Sequence, residues 1–226
     1  AKWTVYDQGI RVPLIVRWPG KVPVGSVSDA LVSLVDITPT LIDIAGGLEV
    51  AGLDGKSFKN ILLGKTKTHH SYIFAETSME PHFWYNYTPA RSVITADGFH
   101  YIKNYHPGLR FITHIDKVER NEFYFDSWVE KAATDSRAKF LLDRYSYRPP
   151  EEMFNLNTDR VSFNNLALLP AYHHKLKELS ALLDKELKRQ GETEEMIVEG
   201  TLPKFFDKNY TLSQNSSAME MSFNRK

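Results

Sequence analysis

The 226-residue sequence contains no cysteine. That excludes a disulfide framework and any thiolate metal site built from these residues, and it leaves the redox compartment undecided. No apolar run approaches the roughly 18 residues of a membrane span, and no signal peptide is present. Because the chain opens inside a motif, the missing leader says nothing about secretion. Net charge is lacking too: 28 basic and 28 acidic residues cancel, so no global field draws the chain to nucleic acid or to anionic lipid. Any binding is local. No internal repeat is visible. What is plentiful is aromatic surface, 11 Tyr and 13 Phe, enough for a core or for a sugar-stacking cleft, core being the simpler use. The length allows one large domain or two small ones.

The most informative stretch is the first. Polar residues that suit a ligand loop, Lys2, Thr4, Tyr6, Asp7 and Arg11, run directly into Val12 to Trp18, an apolar run of strand length closed by Pro19-Gly20. In open α/β sheets ligands sit where loops meet strand ends, so Lys2 and Arg11 stand where an anion can be held.

The following residues read as alternating strand and helix. Leu31 to Val35 is a second apolar, β-branched run. A helix then starts at Asp36 or Thr38, with Pro39 in its first turn and Gly46-Gly47 at its end, and Leu41, Ile42, Ile44 and Ala45 would pack it on the sheet. Asp36 reads as a strand-end ligand or, beside Thr38-Pro39, as the helix cap, and the cap is preferred. The adjacent His69-His70 reads as loop surface, since neighbouring side chains point apart. A soft boundary falls in the basic, polar run Lys65 to His70 that contains them.

Beyond it, Tyr72 to Ala75 predicts a short strand, and residues 76–89 form a loop dense in aromatics and polar groups, including Glu76, His82, Trp84, Tyr85 and Tyr87. Such a loop is either a buried plug or the wall of a pocket. Asp97-Gly98 between Ser92–Ala96 and Phe99–Lys103 predicts a hairpin with a two-residue turn, Ile94 opposite Tyr101 and Val93 opposite Ile102. Glu152 to Leu156 and the strand at Ile73 are candidates to extend it into a small antiparallel sheet. Helical spacing predicts Phe125–Ala133 and Asp135–Arg144, capped by Thr134 or Asp135, and a long helix over Ala171–Gln190 with Tyr172, Leu176, Leu179, Leu183 and Leu187 on one face. The tail after 212 reads as mobile.

Several of these stretches carry a resemblance. Lys2, Thr4, Tyr6, Asp7, Gly9, Ile10, Arg11, Pro13 and Trp18-Pro19-Gly20 follow the pattern of the sulfatases of the alkaline phosphatase superfamily. Val32-Ser33-Leu34-Val35-Asp36-Ile37-Thr38-Pro39-Thr40-Leu41, Asp54-Gly55-Lys56-Ser57, Arg148-Pro149-Pro150-Glu151-Glu152-Met153-Phe154-Asn155-Leu156 and Asn165-Leu166-Ala167 continue it in order. Glu76, His82, Tyr87, Pro89 and Ala90-Arg91-Ser92-Val93 resemble the heparan N-sulfatase (sulfamidase) branch and its bacterial relatives.

The resemblance implies an α/β fold, the C-terminal part of an alkaline-phosphatase-like sulfatase. Residues 1–68 would end the large mixed-sheet domain, and residues 69–226 would form a C-terminal subdomain of antiparallel sheet and packed helix. It implies hydrolysis of sulfate esters or N-sulfates of glycosaminoglycan-type carbohydrates, with calcium and a formylglycine as cofactors and an extracytoplasmic location, whether periplasmic, secreted or lysosomal. Lys2 falls on the family lysine that contacts sulfate. His82 and Arg91 are the substrate-binding candidates; alternatively His82 is a packed hydrogen-bonded residue and Arg91 a structural ion pair. Arg11 reads as structural, paired with Asp7 or another carboxylate inside the loop. The chain has no Cys or Ser in a C/S-x-P-S/A-x-R run and no metal-ligating pair of the family type, so the expectation is a portion inactive alone, its catalytic N-terminal part lying upstream. A phosphatase or phosphonate hydrolase of the same superfamily, or a non-catalytic carbohydrate-binding domain, are the alternatives. Asn86, Asn209 and Asn215 stand in glycosylation sequons.

Overall fold

The computed structural model describes residues 4–78, 88–111 and 123–201. Its centre is a four-stranded antiparallel sheet, β1 (Tyr72–Thr77), β2 (Ala90–Thr95), β3 (Phe99–Asn104) and β4 (Glu151–Asn155), in the spatial order β1-β2-β3-β4. The expected hairpin is there, flanked by both candidate strands.

Its register differs from expectation by one residue. Val93 faces Tyr101 and Ile94 faces His100. The reason is a three-residue loop, Ala96-Asp97-Gly98. Gly98 N donates to the Thr95 carbonyl at 2.9 Å and lies at φ +92°, with the Asn157 amide 2.3 Å from where a Cβ would sit. The Thr95 hydroxyl bonds the Asp97 carboxylate and accepts from Phe99 N at 3.2 Å. These bonds favour the longer loop with glycine in the left-handed position over the two-residue turn. Because side chains alternate, the shift decides which residues share a face.

One face carries Val93, Tyr101 and Met153 and is covered by α6 (His173–Gln190) through Leu179, Leu183 and Leu187. Tyr172 and Leu176 pack on the same cluster, so the predicted helical face is the one buried. Residues Pro170–Tyr172 form a 3₁₀ turn ahead of the helix, and Gly191 closes it at φ 77°. A further helix, α7 (Glu194–Thr201), adds Ile197 to this core. The opposite face carries Ala90, Ile102 and Phe154, with Val5 and Tyr6 packed over them. To one side, α4 (Phe123–Ala132) and α5 (Ser136–Ser146) pack together, and the Asp135 carboxylate caps α5 by accepting from Arg137 N and Ala138 N.

The first 68 residues depart most from expectation. α1 (Asp7–Ile10) is a single turn. Val12 to Trp18 makes no strand, and Val12, Leu14 and Ile15 are exposed, Ile15 to 89%. A strand is defined by its ladder, and no described segment lies alongside to supply one. Leu31 to Val35 is not a strand either: Leu34–Asp36 closes a 3₁₀ turn, pulled in as Ser33 N donates to Asp36 Oδ2 at 2.8 Å. The helix after it, α2 (Ile37–Ile44), forms where predicted, but Leu41 is 59% exposed instead of lying on the sheet. Lys59–Leu62 forms one more turn, α3. The aromatic loop at 79–87 with His82, the sequons and the tail after 212 lie outside the described residues.

On the face beneath Val5 and Tyr6, His100 is fully buried, and neither ring nitrogen has a hydrogen-bond partner among the described residues. Burial pushes its pKa down to about 3. The unfolded chain takes up a proton at this ring near pH 6.5 and the folded one does not, so the stabilisation is complete above that pH and drains away as pH falls toward 3. Urea unfolding at pH 7 and pH 5 is expected to show His100 contributing a loss of up to about 1.4 kcal/mol per pH unit, and His100→Leu to flatten that part of the curve.

Candidate functional site

The opening segment is fastened to the sheet by a buried polar clasp. The Tyr6 hydroxyl donates to Glu152 Oε2 at 2.6 Å, and Asn104 Nδ2 donates to the same oxygen at 3.0 Å and to the Pro149 carbonyl at 2.8 Å. Glu152 is 3% exposed. A carboxylate at that depth needs donors and a nearby cation, and Arg148 supplies the cation. Its guanidinium lies 3.6 Å from the Phe111 ring centroid and 5.2 Å from that of Tyr6. Burial, then the charge of Glu152, raises the Tyr6 phenol well above its ordinary range. Tyr6 therefore acts as a fixed donor. Two stretches that resemble one family, around Tyr6 and around Arg148 to Glu152, stand 146 positions apart and are one structural unit.

Arg11 lies 3.9 Å from Asp7 across the turn of α1, the pairing expected of it. Lys2 lies outside the described residues. Arg91, the third position expected near a substrate, points to the face opposite the clasp. Its Nε and Nη2 donate to the two oxygens of Glu192 at 3.0 and 2.7 Å, its Nη1 donates to the Thr77 carbonyl at 3.0 Å, and Glu76 lies 3.3 Å away. The side chain is 6% exposed. Burial alone would lower its pKa, but the bonds to Glu192 and the charge of Glu76 leave it raised. Of the two readings of Arg91 the geometry has the ion pair: a guanidinium whose fork is filled by a carboxylate holds the β1–β2 pair to the turn that follows α6. The cleft beside it, about 290 Å³ between Tyr105, Leu187 and Gly191, is lined by three carboxylates, Asp184, Glu192 and Glu194, against the two cations Lys103 and Lys188, and Lys103 is paired with Glu194 at 3.0 Å.

A second polar cluster went unread in the sequence. His69 and His70 do not point apart: their ring centroids are 4.2 Å apart and both Nε2 atoms turn to Asp36, His70 at 2.9 Å and His69 at 3.4 Å from Oδ2. The two rings are 10% and 16% exposed, not loop surface. The backbone is not yet a strand at 69–70, so the alternation that separates neighbouring side chains does not apply. Nothing in linear spacing signals this contact, since Asp36 and His70 are 34 positions apart.

With this geometry in view, comparison with known proteins decides the family. The family model described as N-sulphoglucosamine sulphohydrolase, C-terminal, matches residues 1–127. The chain belongs to this family. Two ulvan-active sulfatases of Formosa agariphila are similar to it, one 28% identical over 202 residues (87% of this chain and 37% of that protein), the other 31% identical over 195 residues (84% and 31%). Rat arylsulfatase G is 42% identical over 80 residues, 34% of this chain and 15% of that protein. The chain thus spans about a third of the ulvan-active sulfatases it matches. Among solved structures, BT4656 in complex with its substrate D-glucosamine-2-N,6-O-disulfate aligns with TM-score 0.56 at 24% identity, covering 83% of this chain and 30% of that one. A phosphonate monoester hydrolase from Silicibacter pomeroyi aligns with TM-score 0.54 at 22% identity, covering 83% and 31%. The fold is the C-terminal part of an alkaline-phosphatase-like sulfatase.

Two stability predictions follow from the clasp and the ion pair. Tyr6→Phe leaves Glu152 short of a buried donor and is expected to destabilise the fold by about 1–3 kcal/mol in chemical denaturation. A double-mutant cycle with Arg91→Ala and Glu192→Ala is expected to give a coupling energy of roughly 1–3 kcal/mol; additive losses would refute a structural pair.

Proposed function

We propose that this chain is the C-terminal portion of a sulfatase that hydrolyses sulfate esters or N-sulfates of carbohydrates, of glycosaminoglycan type, in an extracytoplasmic compartment. The observation that carries the reading is the family match over residues 1–127, which takes in the opening loop, together with the clasp that holds that loop on the sheet. In this reading residues 1–68 end the large α/β domain and residues 69–226 form the subdomain behind it. Lys2 contacts the sulfate and His82 faces the sugar. A cation beside the SO₃ group stabilises charge that develops on its oxygens during transfer.

The formylglycine and the calcium of this proposal come from residues outside the 226, in an N-terminal catalytic portion. These residues hold no cysteine and no C/S-x-P-S/A-x-R run. The one set of three metal-ligating groups among the described residues, Asp36, His69 and His70, has two imidazoles where calcium takes oxygen ligands. No step of the chemistry is assigned to this chain beyond holding the substrate's anion. On its own it is inactive.

The complete protein should be assayed for release of inorganic sulfate from N-sulfoglucosamine, from 6-O-sulfated N-acetylglucosamine and from an aryl sulfate, with an aryl phosphonate monoester as the competing substrate. Sulfate release is expected, with kcat/KM lowered roughly 100-fold by Lys2→Ala in the complete protein. Turnover of the phosphonate with no sulfate released would assign the protein to the phosphonate hydrolases that share its fold.

A further inference from the structure

The Asp36 carboxylate is the most heavily used acceptor in the first 68 residues. It is fully buried, and Oδ1 accepts from Lys56 N at 2.8 Å while Oδ2 accepts from Ser33 N at 2.8 Å. Its own carbonyl accepts from the Thr40 hydroxyl at 2.6 Å, and Thr40 Oγ1 in turn accepts from Phe58 N at 3.0 Å. Gly55 makes this possible. A Cβ there would lie 2.1 Å from the Val35 carbonyl oxygen, so only glycine lets the 54–58 loop pass close enough for Lys56 N to reach the carboxylate. These bonds fix both carboxylate oxygens before the histidines arrive.

The histidines then bring two more ligand atoms to the same point. His70 Nε2 sits 3.0 and 2.9 Å from the two carboxylate oxygens, nearly symmetric between them. His69 Nε2 is 3.4 Å from Oδ2 and makes no hydrogen bond among the described residues, although it is buried. A buried ring nitrogen turned toward a carboxylate, yet not bonded to it, is short of a partner. The three ligand atoms all lie within 4.8 Å of one another. Ligands about 2.1 Å from one tetrahedral zinc stand roughly 3.4 Å apart, so His69 already has that separation from Oδ2, His70 reaches it by moving back about half an ångström, and the two imidazole nitrogens, within 4.8 Å of each other, close the third edge by at most about 1.4 Å.

We propose that Asp36, His69 and His70 form a binding site for a zinc-like divalent cation, with water as the fourth ligand. Two imidazoles and one carboxylate favour zinc, cobalt(II) or nickel(II) over calcium or magnesium. The backbone donors at Ser33 and Lys56 orient the carboxylate as outer-sphere groups do in known metal sites. The cation would add to the bonds that already join the turn before α2 to the 54–58 loop, and would tighten the hold of both on the residues entering β1. The site is separate from any sulfate chemistry, so its test does not depend on the function proposed above.

The complete protein, stripped with a chelator and dialysed, is titrated with zinc and with cobalt(II) by calorimetry and visible absorption, and its thermal unfolding is followed with and without zinc. Any zinc taken up at a catalytic calcium site is common to the wild type and the variants, and so cancels. Expected are a zinc-dependent rise in melting temperature, cobalt absorption bands of a four- or five-coordinate ion, and a loss of at least about tenfold in zinc affinity in each of His69→Gln and His70→Gln, with circular dichroism showing both variants folded. Equal zinc affinity in the wild type and the His69→Gln/His70→Gln double variant, or no zinc uptake by the wild type, overturns the proposal.

Discussion

The hydrogen bond from Tyr6 to Glu152 joins residues 146 positions apart and decides how the first segment meets the sheet. Around it the local charges are satisfied in one place: the carboxylate by Tyr6 and Asn104, the guanidinium of Arg148 by the rings of Tyr6 and Phe111 and by the charge of Glu152. Removing any one member leaves the others buried and short of a partner, which is costlier than never having placed them there. Val5 and Tyr6, pinned in this way, form the lid over Ala90, Ile102 and Phe154. The segment that carries the sulfatase-like opening motif and the strand that follows the aromatic loop thereby share one hydrophobic layer.

Much of the sheet and its helices after residue 69 was legible because their signals are local. The α6 stripe Leu179, Leu183, Leu187 follows helical spacing, Gly191 marks its end, Asp135 caps α5, and Asp97-Gly98 marks the hairpin. The register was not legible, because it depends on whether Thr95 and Asp97 bond to each other, which composition does not reveal. The misread strands at Val12–Trp18 and Leu31–Val35 have a different cause. Apolar, β-branched composition states that a run suits a strand; it does not provide the neighbour that makes one. The second run was also claimed by a stronger local competitor, the Ser33–Asp36 turn.

At the candidate sites the sequence was a better guide to family than to roles. A lone arginine before a strand is compatible with a ligand or an ion pair, and only the position of Glu192, 101 residues away, separates them. The Asp36 cluster was invisible for the same reason: its members are unremarkable singly and acquire meaning from a contact across the fold. Basic groups such as Arg91, Lys103 and Lys175 are alike in this, each lying against a carboxylate distant in sequence.

The three-residue loop of the hairpin has an evolutionary corollary. Surface turns usually accept length changes freely, but here Asn157 Nδ2 donates to the Asp97 carbonyl at 2.9 Å and lies 2.3 Å from where a Cβ on Gly98 would sit, so the turn is docked on the residues after β4. Descendants of this chain should therefore keep glycine at position 98 and alter the turn only in company with the segment that follows β4.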